Sequence, residues 1–287
     1  TYSAGGKTKS QVVSENKTLD LSASDLKIVS AYYGQMPVPV RQVQATVADP
    51  ARRFEELPAR SVKEVGKGVF QLDLGQNMVG WVRLRLRGEA GKEITVRYGE
   101  MLNPDGSLYT ANLRGAIATD YFVLNGKGEQ VVEPYFTFHG FRYVELRGLS
   151  EAPSLKDVTG IVVHSALERT GQFECSSPLI NQLYHNIIWG QKGNYVYVPT
   201  DCPQRDERAG WTGDTQFFIP TAAYNYNIAP FFTRWLTTIN EDSQHPDGSI
   251  AHVAPDAGIG GGSVAWGDAA IICTYNIYHT YGDTRVI

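Results

Sequence analysis

Val82-Arg83-Leu84-Arg85-Leu86-Arg87 alternates an apolar residue with a cation along its whole length. A β-strand turns successive side chains to opposite faces, so this period of two puts Val82, Leu84 and Leu86 on one face and the arginines on the other. The stretch reads as a half-buried strand with one face on a core. Ile94, Val96 and Tyr98 repeat the alternation. Turn signals separate such runs, at Asn103-Pro104-Asp105-Gly106-Ser107 and at Asn125-Gly126-Lys127-Gly128. From Val69 to Val163 the apolar period stays at two, which predicts an antiparallel β-sandwich. His139 is expected to pack or hydrogen-bond within it.

After about residue 170 the period becomes helical. Ser177 stands where it can cap a helix with Pro178 at the first position. Leu179, Ile180, Leu183, Tyr184, Ile187 and Ile188 then share one helical face. Phe231, Phe232, Trp235, Leu236 and Ile239 repeat the pattern, and Ala269 to Tyr281 is a further helix closed by Gly282. Trp189 and Trp235 read as core. The first 54 residues are polar and then irregular, with Pro37, Pro39, Pro50 and an Arg52-Arg53 pair. The predicted organisation is therefore the end of an upstream module and a linker (1–54), a β-sandwich (55–166) and a helical region (167–287).

Between the first two helical faces stands Asp201-Cys202-Pro203-Gln204-Arg205-Asp206-Glu207-Arg208-Ala209-Gly210-Trp211-Thr212-Gly213-Asp214. Pro203, Gly210 and Gly213 punctuate it, so it reads as a shaped loop. Carboxylates crowded beside an aromatic ring suit sugar chemistry: one carboxyl donates a proton, others hold hydroxyls, and the ring stacks on a sugar face. A plain solvated charge cluster rarely interleaves Cys, Pro, Trp and Gly so densely. Cys202 lies in this loop without a nearby His, which argues against a nucleophile. Cys175, Cys202 and Cys273 are odd in number and lack a CxxC spacing, which predicts reduced thiols rather than disulfides or zinc. The six histidines form no HExxH pattern. Gly258-Ile259-Gly260-Gly261-Gly262 lacks the Lys-Ser/Thr of a phosphate loop and reads as a mobile loop near the site. Asn16-Lys17-Thr18 is a glycosylation triplet of a kind common by chance.

The 287 residues are 42% hydrophobic and 11% aromatic, enough for substantial cores. A net charge of −4 without a basic stripe argues against a nucleic-acid partner. No apolar run reaches the roughly 18 residues of a membrane span. No signal peptide is visible, and the chain begins at Thr1; a soluble protein of the cytoplasm, periplasm or medium fits equally.

The acidic loop resembles the catalytic loop of the bacterial α-L-rhamnosidases, inverting glycoside hydrolases with β-sandwich domains and an (α/α)6 barrel. Phe70 to Trp81 (FQLDLGQNMVGW) is similar to the start of that family's central sandwich. Pro134 to Tyr143 (PYFTFHGFRY) is similar to its later strands, and Trp266-Gly267-Asp268-Ala269 to a second motif of its catalytic domain. The motifs follow the family's order over about residues 55–287. The resemblance implies a multidomain fold, a sandwich followed by the first helices of a barrel. A closed barrel needs twelve helices, and the roughly 120 residues after the sandwich hold only about four. The chain is accordingly expected to be a fragment of a longer enzyme.

The resemblance also implies roles. Glu207 matches the general acid. Asp201, Trp211, Asp214 and Trp266 match rhamnose-binding positions, Arg205 and Asp206 shape the motif, and Asp268 either contacts sugar or caps the following helix. Arg205 and Arg208 would flank Glu207. No residue matches the family's general base, so the chain alone is expected to be inactive. No cofactor or metal is implied; rhamnose-containing oligosaccharides or glycosides are the expected partners. Apolar helix stripes such as Leu179/Leu183/Ile187 and Phe231/Trp235/Ile239 are expected to be exposed and to favour self-association. Two other readings stand beside this one. A related six-hairpin glycosidase or uronate lyase is one, and a non-catalytic carbohydrate-binding sandwich is the other.

Overall fold

The computed structural model describes residues 2–4, 7–9, 27–28 and 48–287. The chain forms two compact units, Thr1–Ala45 and Thr46–Ile287. In the first, strands β1 (Tyr2–Ala4), β2 (Lys7–Lys9) and β3 (Lys27–Ile28) make a small antiparallel sheet in the order β2-β1-β3. Asn16-Lys17-Thr18, Pro37 and Pro39 lie outside the described residues.

The second unit opens with ten strands: β4 (Ala51–Pro58), β5 (Ser61–Gly66), β6 (Val69–Arg87), β7 (Glu93–Gly99), β8 (Met101–Leu102), β9 (Leu108–Tyr109), β10 (Thr119–Val123), β11 (Glu129–Val132), β12 (His139–Arg147) and β13 (Val158–Ser165). Eight of them form one curled antiparallel sheet in the order β10-β7-β12-β6-β13-β4, with β5 and β11 also paired to β6. The 19-residue β6 is its spine. Val69–Asp73 pairs with β12 and β5, whereas Gly80–Arg87 pairs with β13 and β11. The strand passes from one set of partners to the other around Gly80, at φ +150°, where a Cβ would lie 1.8 Å from the Ile161 carbonyl oxygen.

The alternation behaves as the sequence predicts. Val82 and Leu84 are wholly buried and Leu86 nearly so. On the opposite face Arg83 pairs with Glu56 at 2.6 Å, and Arg85 and Arg87 reach Glu129 at 3.5 and 3.2 Å. His139 is buried, stacks on Tyr98 at 4.0 Å and shares a 3.1 Å hydrogen bond with Asp120. The Asn103–Ser107 turn joins β8 to β9. Arg52 and Arg53, read as linker, instead lie in β4. That strand adds to β13, and Arg53 bridges Glu133 at 2.9 Å. The sheet thus begins at Ala51 rather than at 55.

Four helices follow: α1 (Pro178–Asn194), α2 (Thr212–Asn225), α3 (Ala229–Asp242) and α4 (Ala269–Tyr281). Pro178 takes the first turn of α1 as expected, but the Ser177 side chain makes no capping bond. Gly282 ends α4 at φ +67°, its amide donating to the Tyr278 carbonyl. Helix α2 has no clean apolar stripe and carries Pro220 inside, so periodicity does not reveal it. The last residues of the acidic stretch, Thr212 to Asp214, form its first turn rather than loop. Among the described residues no helix is long and apolar enough to cross a membrane.

One expectation about exposure fails. Phe231, Trp235 and Ile239 are fully buried. Tyr195 stacks on Phe231 at 4.9 Å, Phe232 packs edge-on to Trp235, and the Trp235 indole N–H donates to the Ala254 carbonyl at 3.0 Å. The hairpin Tyr195–Pro199 and the segment 250–254, neither with a helical period, add to the cover that α2 and α4 residues such as Ile219, Cys273 and Ile277 give in the same core. Leu179 and Leu183 do stay exposed, at 80% and 56%. Trp189 is half-buried against the sandwich core, with the Lys192 ammonium 4.5 Å from its ring centre.

Two stability outcomes follow from this packing. Phe231→Ala should cost about 3–5 kcal/mol in urea unfolding of the helical region, whereas Leu179→Ala should stay within about 0.5 kcal/mol. Similar losses at both sites would contradict the burial. The second concerns Asp73. Arg142 holds its carboxyl below the usual range through a bidentate pair at 2.8 Å. A depressed carboxylate contributes stability above its unfolded pKa, near 4, and loses it as pH falls through the folded value. Asp73→Asn should therefore flatten the acid side of the stability–pH curve; an unchanged slope below pH ~4 would count against the pair.

Candidate active site

The acidic loop is closed at its base by its own ends. The Asp201 amide donates to the Ala209 carbonyl, and the Ala209 amide donates to Asp201 Oδ1, both at 3.2 Å. Beyond Ala209 the chain is pinned to residues 252–254. The Ala254 amide donates to the Gly210 carbonyl at 2.9 Å, and a Cβ on Gly210 would lie 2.2 Å from the Ala254 oxygen. The Thr212 amide and hydroxyl both donate to the His252 carbonyl, at 3.0 and 2.9 Å. Only glycine permits that approach, which is why Gly210 precedes Trp211.

The other side of the loop lies against the sandwich. A Cβ on Gly140 would come 2.7 Å from that of Gln204. The Gly115 amide donates to Asp206 Oδ2 at 3.1 Å. Arg208, at φ +46°, sits 4.8 Å over the Phe138 ring, and burial lowers the pKa of its guanidinium. Glu207 Oε2 accepts from Arg205 Nε at 2.7 Å and from Arg114 Nη1 at 3.0 Å, with Arg205 Nη2 in ion-pair contact at 2.5 Å. Arg205 thus flanks Glu207 as expected, but Arg208 does not. Its place is taken by Arg114, which sequence reasoning missed. Arg114 lies 93 positions upstream in another domain, and no local pattern marks it.

Burial is the main cause that raises the Asp201 carboxyl pKa, and the Glu207 charge adds to it. The Cys202 thiol is pushed up to about 12, first by burial and then by its hydrogen bond to Asp201. It is neutral at physiological pH, which removes it as a nucleophile. Donor atoms of Asp201, Cys202 and Glu207 lie within 4.8 Å of one another. A protonated thiol and a carboxylate already held by two guanidinium groups suit a cation poorly.

Asp201, Trp211 and Asp214 line one cleft of about 460 Å³, together with Asn194, Thr200, Thr215 and Phe217. Asp214 is exposed on the first turn of α2, and the buried Trp211 indole nitrogen has no protein partner. Glu207 is not among the lining residues and stands beside Asp201 at the cleft's sandwich side. Trp266 is not among the lining residues either; it packs on the first turn of α2, where a Cβ on Gly213 would be 3.0 Å from its indole nitrogen. The ring of His252, a second residue the sequence did not single out, stands between the two tryptophans. Its centre is 6.4 Å from Trp211 and 5.9 Å from Trp266, and its Nε2 bonds Ser263 Oγ at 2.8 Å. Asp268 does not cap α4 with its side chain; Oδ2 accepts from the Ala265 amide at 3.0 Å and braces the turn carrying Trp266. The glycine-rich stretch is tied alongside by His252 N–H to Gly260 O and Gly262 N–H to Ile250 O, at 2.8 and 2.9 Å.

A family model described as the bacterial alpha-L-rhamnosidase concanavalin-like domain matches residues 63–164. Another, the bacterial alpha-L-rhamnosidase 6 hairpin glycosidase domain, matches residues 168–287. An α-L-rhamnosidase of Streptomyces avermitilis is 52% identical over 247 residues, covering 86% of this chain and 24% of that protein. One from Formosa agariphila is 44% identical over 219 residues, covering 75% and 23%. The crystal structure of the Streptomyces avermitilis enzyme complexed with L-rhamnose superposes with a TM-score of 0.82 over 84% of this chain and 24% of that one. The α-L-rhamnosidase from Dictyoglumus thermophilum gives a TM-score of 0.82 at 40% identity, over 84% and 28%. The chain spans about a quarter of the length of these relatives. From its curled sheet through its four helices, the chain belongs to the bacterial α-L-rhamnosidase family.

Proposed function

We propose that the protein carrying this chain hydrolyses terminal α-L-rhamnosides with inversion, and that Glu207 protonates the departing glycosidic oxygen. The observation that carries the reading is one juxtaposition. A carboxyl held by two arginines stands at the edge of a cleft lined by Asp201, Asp214 and Trp211. Carboxylates accept hydrogen bonds from sugar hydroxyls, and an indole face takes the apolar face of a deoxy sugar. Trp266 extends the aromatic wall, and Asp268 acts on it through the Ala265 turn. Arg205 and Asp206 shape the loop: one holds Glu207, the other ties the loop to Gly115. The relatives named above are α-L-rhamnosidases, and one was crystallised with L-rhamnose.

Inversion needs a second carboxylate that activates water, about 6.5–9.5 Å from the acid. Asp201 does not meet that condition, because its carboxylate comes within 4.8 Å of Glu207 and leaves too little room for water. A desolvated carboxyl beside the acid suits hydroxyl binding better. The reading assigns the water-activating base to no residue of this chain.

In the complete protein, Glu207→Gln should lower turnover of rhamnosides with poor leaving groups by about 10²–10⁴-fold. Activated aryl rhamnosides should lose much less, because their leaving groups depart without a proton. Steady-state kinetics on both substrate types is the measurement; equal losses on the two would remove Glu207 from the acid role.

A further inference from the structure

We propose that Arg114, from the sandwich, is a positioning residue for Glu207: it fixes which carboxyl oxygen carries the proton and where that oxygen points. The inference rests on Glu207 being the proton donor. Glu207 Oε2 takes hydrogen bonds from Arg205 Nε and Arg114 Nη1 and is ion-paired to Arg205 Nη2. A guanidinium has donors only, so a proton on Oε2 would face N–H groups with no acceptor to meet it. Oε2 is therefore the held, accepting oxygen, and the transferable proton belongs on Oε1. Arg205 alone does not secure the orientation, because it is two positions away in the same loop and moves with it. Arg114 ties the carboxyl to a different domain.

The backbone around Arg114 is built for this contact. Arg114 has φ +53° and ψ −115°, a conformation residues with a side chain rarely adopt. Such backbone persists only where its surroundings over-determine it, and it clusters at functional sites. Leu113, one residue before, is buried at 2% exposure. Gly115, one residue after, donates its amide to Asp206 Oδ2, and a Cβ there would press on that oxygen at 3.1 Å. Two consecutive sandwich residues thus grip two consecutive loop residues. The Arg114 side chain is 55% exposed and that of Glu207 24%. An ion pair that open adds little to stability, so fold stability does not account for a strained arginine at this position. Orientation of the carboxyl does.

The test uses the complete protein with Arg114→Ala, Arg114→Lys, Glu207→Gln and the Ala/Gln double variant. Each is assayed on a rhamnoside with a poor leaving group and on an activated aryl rhamnoside, with Tm recorded alongside. Arg114→Ala should lower kcat on the poor leaving group by about 10- to 100-fold, the scale of a small misplacement of a reacting group. It should leave the activated substrate and KM nearly unchanged and hold Tm within about 3 °C. Arg114→Lys should recover part of the loss, and adding Arg114→Ala to Glu207→Gln should cost nothing more. Should Arg114→Ala fail to fold, Arg114→Lys, which keeps the charge but loses the fork, carries the same comparison. A loss equal on both substrates, or none at all, overturns the positioning role while a leaving-group-dependent Glu207→Gln still upholds the acid. A Glu207→Gln variant equally impaired on both substrates overturns both.

Discussion

The site depends on one seam, where the loop from Asp201 to Trp211 lies between the curled sheet and the helices that follow it. Gln204, Asp206, Glu207 and Arg208 all touch the sandwich, through Gly140, Gly115, Arg114 and Phe138. On the other side Gly210 to Thr212 are bonded to residues 252–254. A loop this polar would not hold one shape by hydrophobic burial. It does so because backbone groups and charged side chains find partners on both walls. That is why the sandwich and the helical region act as one structural unit rather than as beads on a linker.

Much of this architecture is legible in the chain. Alternation at Val82–Arg87 marks the sheet because one face must be apolar and the other wet. The stripe at Phe231–Ile239 marks α3 for the same reason at a different period. Helix α2 escapes notice because it begins inside the motif, and Gly213, Asp214 and Pro220 interrupt its apolar pattern. The exposure of Phe231 and Trp235 is misjudged because part of the cover comes from irregular segments, the hairpin at Tyr195–Pro199 and the strand-like stretch near Ala254. Periodicity does not report on such segments.

The candidate site is half legible. A single motif carries Asp201, Glu207, Trp211 and Asp214: three of them line the cleft, and Glu207 stands beside Asp201. Motifs do not report what approaches from elsewhere. Arg114 and His252 enter through tertiary contacts, the first from the sandwich and the second from the chain after α3. Arg208 shows the converse limit. Adjacent to Glu207 in sequence, it turns away at φ +46° and covers Phe138 instead. Proximity along the chain says that two charges are near, not that they meet.

The central claim is that rhamnose binds at this seam with Glu207 facing its glycosidic oxygen. A crystal structure of the complete protein soaked with L-rhamnose tests it most directly. The account predicts the ring in the cleft bounded by Asp201, Trp211 and Asp214, its anomeric carbon toward Glu207 Oε1 and Arg114 still on Oε2. A sugar found instead in the sandwich groove lined by Arg85, Lys92 and Glu129 would contradict it, as would a ring in the cleft with Glu207 turned away.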